Sequence, residues 1–454
     1  MKNKKNSKIW LILSSISALT TILPLAAISC DHKVKQNSKE NKEDSKPDEN
    51  KPNPKPENPT KEEDPSNLNK SFKFELTKSN TWKIAKFIGN DSEVTIPREY
   101  QGKNITEIGE SAFSDTNIES ITIPGSVKEI GESAFYDCYD LKKVVLNEGL
   151  EKIGAWAFSN TNIESITIPG SIKEIDKSTF LGCKNLKKVI LNKGLEKIGA
   201  EAFSNTNIKS ITVPGSVKEI GKSTFSGCHS LEEVILNEGL EKIGAEAFFD
   251  TKIESITIPG SLKEIGEGAL SSGNISSILI NSNNKNFEIE DNFFIDKNNK
   301  KILSYLDWMA TKVTIPGSVK EIGESAFSSC RNLEEVILNE GLEKIGAWAF
   351  YDTNIESITI PGSVKEIGES TFSGCENLEE VILNEGLEKI GAEAFEYTKI
   401  ESITIPDTVK EIRKGAFYNC KNLKEVIYKG DASNINWENT GIDKTKIKII
   451  SFNN

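Results

Sequence analysis

Six cysteines hold regular places in the chain. Cys138, Cys183 and Cys228 stand 45 residues apart, and Cys330, Cys375 and Cys420 repeat the interval. Thiols so arranged open three chemistries: a disulfide framework, a redox centre or a soft-metal site. The partners those chemistries need are scarce. The sequence has two histidines, His32 and His229, so triads, dyads and zinc sites have almost nothing to draw on. His229 follows Cys228, and the corresponding places after the other cysteines hold Tyr139, Lys184, Arg331, Glu376 and Lys421. A place that accepts all of these is an exposed loop. Asp291, Asn292, Asp296 and Asn298 offer oxygen ligands, but the glycine and closing glutamate of a calcium loop are absent, and a turn accounts for them. These residues imply no catalytic centre, no cofactor, no metal site and no small-molecule substrate.

What positions the cysteines is a repeat. The stretch Ile118 to Thr161 returns, lightly edited, from Ile163, Ile208, Ile253, Ile355 and Ile400, and self-similarity at a fixed period decides the architecture before any local argument does. Each copy holds two half-units. Phe113, Phe135, Phe158, Phe180, Phe203, Phe225 and Phe248 fall alternately 22 and 23 residues apart, Leu270 takes the next place, and Phe327, Phe350, Phe372, Phe395 and Phe417 resume the rhythm. That makes 13 coils. A coil opens on apolar positions such as Leu141, Val144 and Leu146, of which the last two alternate as on a strand with one buried face. A turn of Asn-Glu-Gly or Pro-Gly-Ser follows, and the chain returns through a second apolar set, Leu150, Ile153, Ala157 and Phe158. One such coil buries neither face alone, so coils must stack and share a core.

Stacking also settles the disulfides. Same-position cysteines lie two coils apart, roughly 10 Å along the stack, whereas a disulfide needs Cα atoms within about 7 Å. The coil between carries Thr161, Thr206, Thr353 or Thr398 at that place. Cysteine and threonine are expected to alternate there as small, buried fillers.

The pattern I-x-I-P-x-x-V-x-x-I-G-x-x-A-F-x-x-C, over roughly residues 71–430, resembles the BspA-like bacterial surface leucine-rich repeat proteins. The resemblance implies a repeat solenoid: a right-handed leucine-rich repeat superhelix with a parallel β-sheet on the concave face and short helical or irregular convex segments. BspA-like relatives are associated with attachment to host matrix proteins and cells, which implies an adhesin-like role. A structural or antigenic coat protein without a dedicated ligand is the alternative, and near-identical copies suit it.

Lys2, Lys4, Lys5 and Lys8 precede an apolar run from Ile9 to Ser29, so residues 1–29 read as a secretory signal peptide, although the run is long enough to stay as a membrane anchor. Its end, Leu25-Ala26-Ala27-Ile28-Ser29-Cys30, is similar to a bacterial lipobox, which implies cleavage before Cys30 and its acylation. The expected location is then the extracellular face of the cell membrane, held by lipid. Residues 30–70 are a charged, proline-containing tether with too little apolar content to order itself. Residues 71–95 read as an N-terminal β cap, 96–270 and 313–427 as the repeat arrays, 271–312 as an inserted strand and hairpin, and 428–454 as a C-terminal cap.

The formal net charge is −12, and removing the four leader lysines makes it more negative still, so no footprint for nucleic acid exists. What remains for function is surface. Between the inward residues of each strand lies an outward ladder of Thr122, Val145, Thr167, Ile190, Thr212, Ile235, Thr257, Thr314, Ile337, Thr359, Ile382, Thr404 and Ile427. An apolar stripe in water marks a contact surface, or only the preference of β-branched residues for strands. Beside it stand Lys142-Lys143 and Lys187-Lys188, then Glu232-Glu233, Glu334-Glu335 and Glu379-Glu380. A second candidate is Trp156 and Trp348, at a place where sister coils carry Glu201, Glu246 and Glu393. Such a place faces water, and exposed tryptophan is enriched in binding hot spots, unless the ring lies flat on the next coil. The expected partner is a protein of the host cell or extracellular matrix.

If Cys30 is acylated, the protein partitions into detergent, and Cys30→Ser abolishes palmitate labelling. Labelling that survives the substitution refutes the lipobox.

Overall fold

The computed structural model describes residues 65–271, 274–431, 433 and 435–449. The leader, Cys30 and most of the tether lie outside the described residues. Each coil contributes one strand of three or four residues and one of two residues. The long strands, such as Ser165–Ile168 and Lys188–Leu191, pair in parallel and in register, Ile166 with Val189 and Ile168 with Leu191. Those inward residues are buried or half-buried, and the core beneath them is continuous. Sixteen long strands run from Glu93–Thr95 to Ile447–Ile449. The fold is a parallel β-solenoid with almost no helix.

On the return side, where short helical or irregular segments are expected, the described residues of each coil are irregular rather than helical and open on a two-residue strand, such as Lys152–Ile153, Glu174–Ile175 and Lys197–Ile198, laddered into a second parallel sheet. The segment after each short strand cannot wind helically. Trp156 and Asn160 sit at φ 54° and 57°, in the left-handed region that interrupts a right-handed helix. Alternate amides therefore point along the stack: Trp156, Phe158 and Asn160 donate to the carbonyls of Lys177, Thr179 and Leu181 in the next coil at 3.1, 2.9 and 2.8 Å. Backbone groups that a helix would satisfy internally are satisfied by the neighbour instead.

Within this frame the phenylalanines form a column. From Phe113 to Phe248 each ring stacks on the next with centroids 4.9 to 5.6 Å apart, and Tyr305 to Phe417 repeat the column in the second array. The ring spacing is close to the spacing of strands in a sheet, so stacking and backbone pairing reinforce one period. At the turns, backbone touches backbone. Gly239 has φ 115°, and a Cβ there would sit 2.1 Å from the carbonyl oxygen of Gly215. The glycines of Pro-Gly-Ser and Asn-Glu-Gly turns alternate because they pack on one another.

The ends and the break are built differently. Pro65–Ser71 is a short helix whose Leu68 joins the core and whose Asn69 accepts from the Tyr100 hydroxyl at 2.9 Å. The last residues of the stretch expected to be tether thus belong to the fold, because a single leucine finds the open end of the core. Phe72–Leu76 and Trp82–Phe87 pair antiparallel over that end. At the break, one long strand, Ser277–Ile280, is followed by a three-stranded meander of Phe287–Glu290, Phe293–Asp296 and Lys301–Tyr305, one strand more than the expected hairpin. The middle strand faces both ways: Phe294 enters the first core, Phe293 and Ile295 the second. No strand pairing crosses from the first array to the second among the described residues. On the return side Glu267 bridges the gap, paired with Lys301 and accepting from the Glu324 N–H at 3.3 Å. Burial opposes ionisation of Glu267, yet the Lys301 ammonium holds its carboxyl below the usual range, while burial and the Glu267 charge push Glu324 up.

Replacing Phe203 by Ala removes one ring of the column and costs roughly 3–5 kcal/mol, measured by equilibrium denaturation; a cost under about 1 kcal/mol argues against a shared core. Gly239→Ala, strained in φ and in contact, lowers the unfolding free energy as well, by more than ~1 kcal/mol.

Candidate functional site

The cysteine column is a sealed structural device. All six thiols are free and buried. Each array repeats one motif. The Phe158 carbonyl accepts from Thr161 Oγ1 of its own coil at 2.9 Å and from Cys183 Sγ of the next coil at 3.1 Å, with Thr161 Oγ1 and Cys183 Sγ 3.3 Å apart. The carbonyls of Phe203, Phe350 and Phe395 are held in the same way by Thr206 and Cys228, Thr353 and Cys375, and Thr398 and Cys420. The expected fillers are thus hydrogen-bonding groups, and they satisfy a carbonyl with no strand partner. Burial pushes the thiols of Cys183 and Cys375 up to about 11 and that of Cys330 up to about 12. A thiol so far from its thiolate is inert.

The remaining chemistry-bearing residues are accounted for locally. His229 is exposed, with Nδ1 3.5 Å from Asp250. Asp296 is buried and accepts from the backbone N–H of Asn298 and Asn299 at 2.9 and 3.1 Å and from the Asn299 side chain at 2.8 Å, which makes it the anchor of a turn. Among the described residues no group of three or more His, Cys, Asp or Glu side chains is placed to hold a metal ion.

The ladder is assembled by strand register. Thr122 pairs with Val145, Thr167 with Ile190, Thr212 with Ile235, Thr314 with Ile337, Thr359 with Ile382 and Thr404 with Ile427. Ile190, Ile235, Ile337 and Ile382 are each between 41% and 45% exposed, a large fraction for isoleucine. Val145 and Ile427, nearer the ends, are half-buried rather than exposed. The register adds a residue that sequence reading passed over: Leu279 pairs with Thr257 and is 64% exposed. The spacing of Ile275, Ile278 and Ile280 is that of every other coil, and would have placed Leu279 in the ladder.

The two tryptophans diverge. Trp348 is exposed, but Trp156 is half-buried, with the Lys177 ammonium of the next coil 5.3 Å from its ring centroid. A cation over an indole face is attractive, and it covers the side expected to be open. Tyr351, Tyr397 and Tyr418 are exposed on the same edge of the second array.

This geometry presents a long outward face along which a partner can lie. The family model described as BspA type Leucine rich repeat region (6 copies) matches residues 106–232, 196–307 and 305–424. A crystal structure of a leucine rich cell surface protein from Faecalibacterium prausnitzii is 27% identical, with a TM-score of 0.63 over 82% of this chain and 96% of that one. The pneumococcal vaccine antigen PcpA is 24% identical, with a TM-score of 0.56 over 84% of this chain and 95% of that one, a likeness of fold. No curated protein matches.

In the folded protein the six thiols of the solenoid resist a maleimide at pH 7.5, and six become reactive on denaturation. Fast labelling of the native array overturns their assignment as sealed groups.

Proposed function

The chain belongs to the BspA-type leucine-rich repeat family, and on that premise we propose that it is a surface-displayed, non-catalytic binding protein with an adhesin-like role, anchored by acylated Cys30. The observation that carries this reading is the ladder. A soluble surface disperses its apolar side chains, and here Ile190, Ile235 and Leu279 stand exposed along the first array and Ile337 and Ile382 along the second. A column of that kind fits an extended protein surface of a host cell or matrix. The relative from Faecalibacterium prausnitzii is described as a cell surface protein, which supports display outside the cell. The coat reading draws on the near-identical 45-residue copies and on the description of PcpA as a vaccine antigen; an antigenic surface and a binding surface exclude one another only if no ligand exists.

The test is adhesion of the protein to host cells and to immobilised matrix proteins. Ile190→Asp, Ile235→Asp and Ile337→Asp together abolish it, while folding changes little, because each such surface change moves stability by about 0.5 kcal/mol. Trp156→Glu and Trp348→Glu copy the residue of sister coils and report on the edge separately. A folded ladder variant that adheres like the parent sinks the ladder, and a parent that adheres to nothing leaves the coat.

A further inference from the structure

Three features run the length of each array and stop at the break. No strand pairing passes between the arrays among the described residues. The buried apolar residues fall into two clusters that divide within the meander. The stacked phenylalanines end at Phe248, and stacking resumes with Tyr305 on Phe327. Elsewhere a coil is tied by its neighbour's backbone; this junction depends on side chains. On the return side those side chains are charged, and they converge on one glycine. Gly268 holds φ 60°, and a Cβ there would sit 3.2 Å from Oε1 of Glu324 and 3.8 Å from Cγ of Glu246. Glu246 and Glu267 belong to the first array and Glu324 to the second. Three half-buried glutamates thus meet across the break.

The cations around them are unevenly shared. Lys301 pairs with Glu267 and, at 3.1 Å, with Glu321. Lys344 also pairs with Glu321 at 3.1 Å, and Lys222 pairs with Glu246 at 3.5 Å. Among the described residues Glu324 alone of these four glutamates makes no ion pair. Its backbone N–H donates to Glu267 at 3.3 Å, so its chain is fastened to the first array while its charge stands against it. Glu267, Lys301 and Glu324 line a common cavity of about 10 Å³ with Gly268, Gly323 and Leu303.

We propose that the break is an acid-tightened hinge, in which proton uptake by Glu324 clasps the two arrays together and proton uptake by Glu267 releases them. Ionised, Glu324 repels Glu267 and Glu246, and the Lys222 and Lys301 ammoniums oppose that repulsion. Protonated, it repels neither, and its O–H has carboxylates to donate to. Burial, then the charges of Glu267 and Glu246, push the Glu324 carboxyl up, so a closed junction takes this proton before an open one does. The closed state therefore gains as pH falls through the raised value toward the ordinary glutamate value of about 4.3. Glu267 runs the other way. Burial opposes its charge, but Lys301, the Glu324 N–H and Lys344 hold its carboxyl below the usual range. Its clasp on Lys301 is intact above the ordinary value and is lost as pH falls through the depressed one. Coupling between the arrays is greatest in mild acid and weaker on either side. The inference does not rest on the adhesin reading: the hinge governs how Leu279 and Ile337, on the two sides of the break, are aligned, whatever they bind.

The test uses the full chain in detergent with Cys30→Ser, so that introduced thiols are the reactive ones; the native solenoid thiols are buried. Thr257→Cys and Thr314→Cys place spin labels at exposed strand positions on the two sides of the break, and electron double resonance reads the distance distribution between them. That distribution narrows between about pH 7.5 and about pH 5, a window above the ordinary glutamate value. Glu324→Gln, uncharged at every pH, is narrow at both and loses the response. Glu267→Gln, without the clasp on Lys301, is broad at both. Labels at Thr167→Cys and Thr212→Cys, within the first array, report no change. Circular dichroism checks the fold of each variant, and Glu324→Gln decides alone if Glu267→Gln does not fold. A parent whose distribution ignores pH overturns the proposal. So does a Glu324→Gln chain that still responds, and so does an equal response within the first array, which assigns the motion to the whole solenoid.

Discussion

Everything in this solenoid depends on one coil lying flat on the next at the spacing of hydrogen-bonded strands. The long strands, the two-residue strands and the alternate amides of the return segment all bond to a neighbouring coil. The phenylalanine column repeats at 4.9 to 5.6 Å, which the rings accept without tilting far. Because no coil satisfies its own backbone, the array is cooperative along its axis, and its two ends and its break are where special structure is needed. The helix at Pro65–Ser71 and the antiparallel pair behind it close one end. At the other, Ile447–Ile449 pairs with Glu425–Tyr428, and the Tyr428 hydroxyl donates to the Val409 carbonyl at 3.1 Å.

The same constraint explains why the chemistry-bearing residues do no chemistry of the usual kinds. A cysteine set 45 residues from its copies is two rungs from them, too far to bridge, and the threonine between gives it a hydrogen-bonding neighbour. Five of the six expected fillers, Cys138, Cys183, Cys228, Cys375 and Cys420, tie a phenylalanine carbonyl of the preceding coil to their own. Freed from packing, the outward columns are where copies have room to differ. Their charges pair between neighbouring coils on the return side, and the long-strand face also carries both signs in each array, with Lys142–Glu119 and Lys312–Glu335 among its ion pairs.

The break shows how two stacks are joined when the period is lost. Sheet pairing stops, and a meander strand whose side chains alternate between two cores takes its place. Lys301 is nearly buried between Glu267 and Glu321, with side-chain exposure of 10%. A nearly buried ammonium needs such partners, because an unpaired charge there would be costly.

The sequence by itself determined the period, the inward residues of every coil, the turn glycines, the free state of the cysteines and the outward ladder, because a repeat serves as its own control. A place that holds Phe in every coil but one is core, whereas the place shared by Trp156, Trp348 and the glutamates of sister coils is partly open. It was silent where a residue has no copy. Leu68 looked like one apolar residue in a polar tether, and only the open end of the core made it structure. Trp156 looked as free as Trp348, and only Lys177 in the next coil distinguishes them. The return segment resembled a helix or an irregular loop, and its strands appeared only with the stack, because a two-residue strand has no local signal; its hydrogen bonds belong to the neighbouring coil. Local pattern fixes which side chains face inward, and contacts between coils, which no single copy contains, decide the rest.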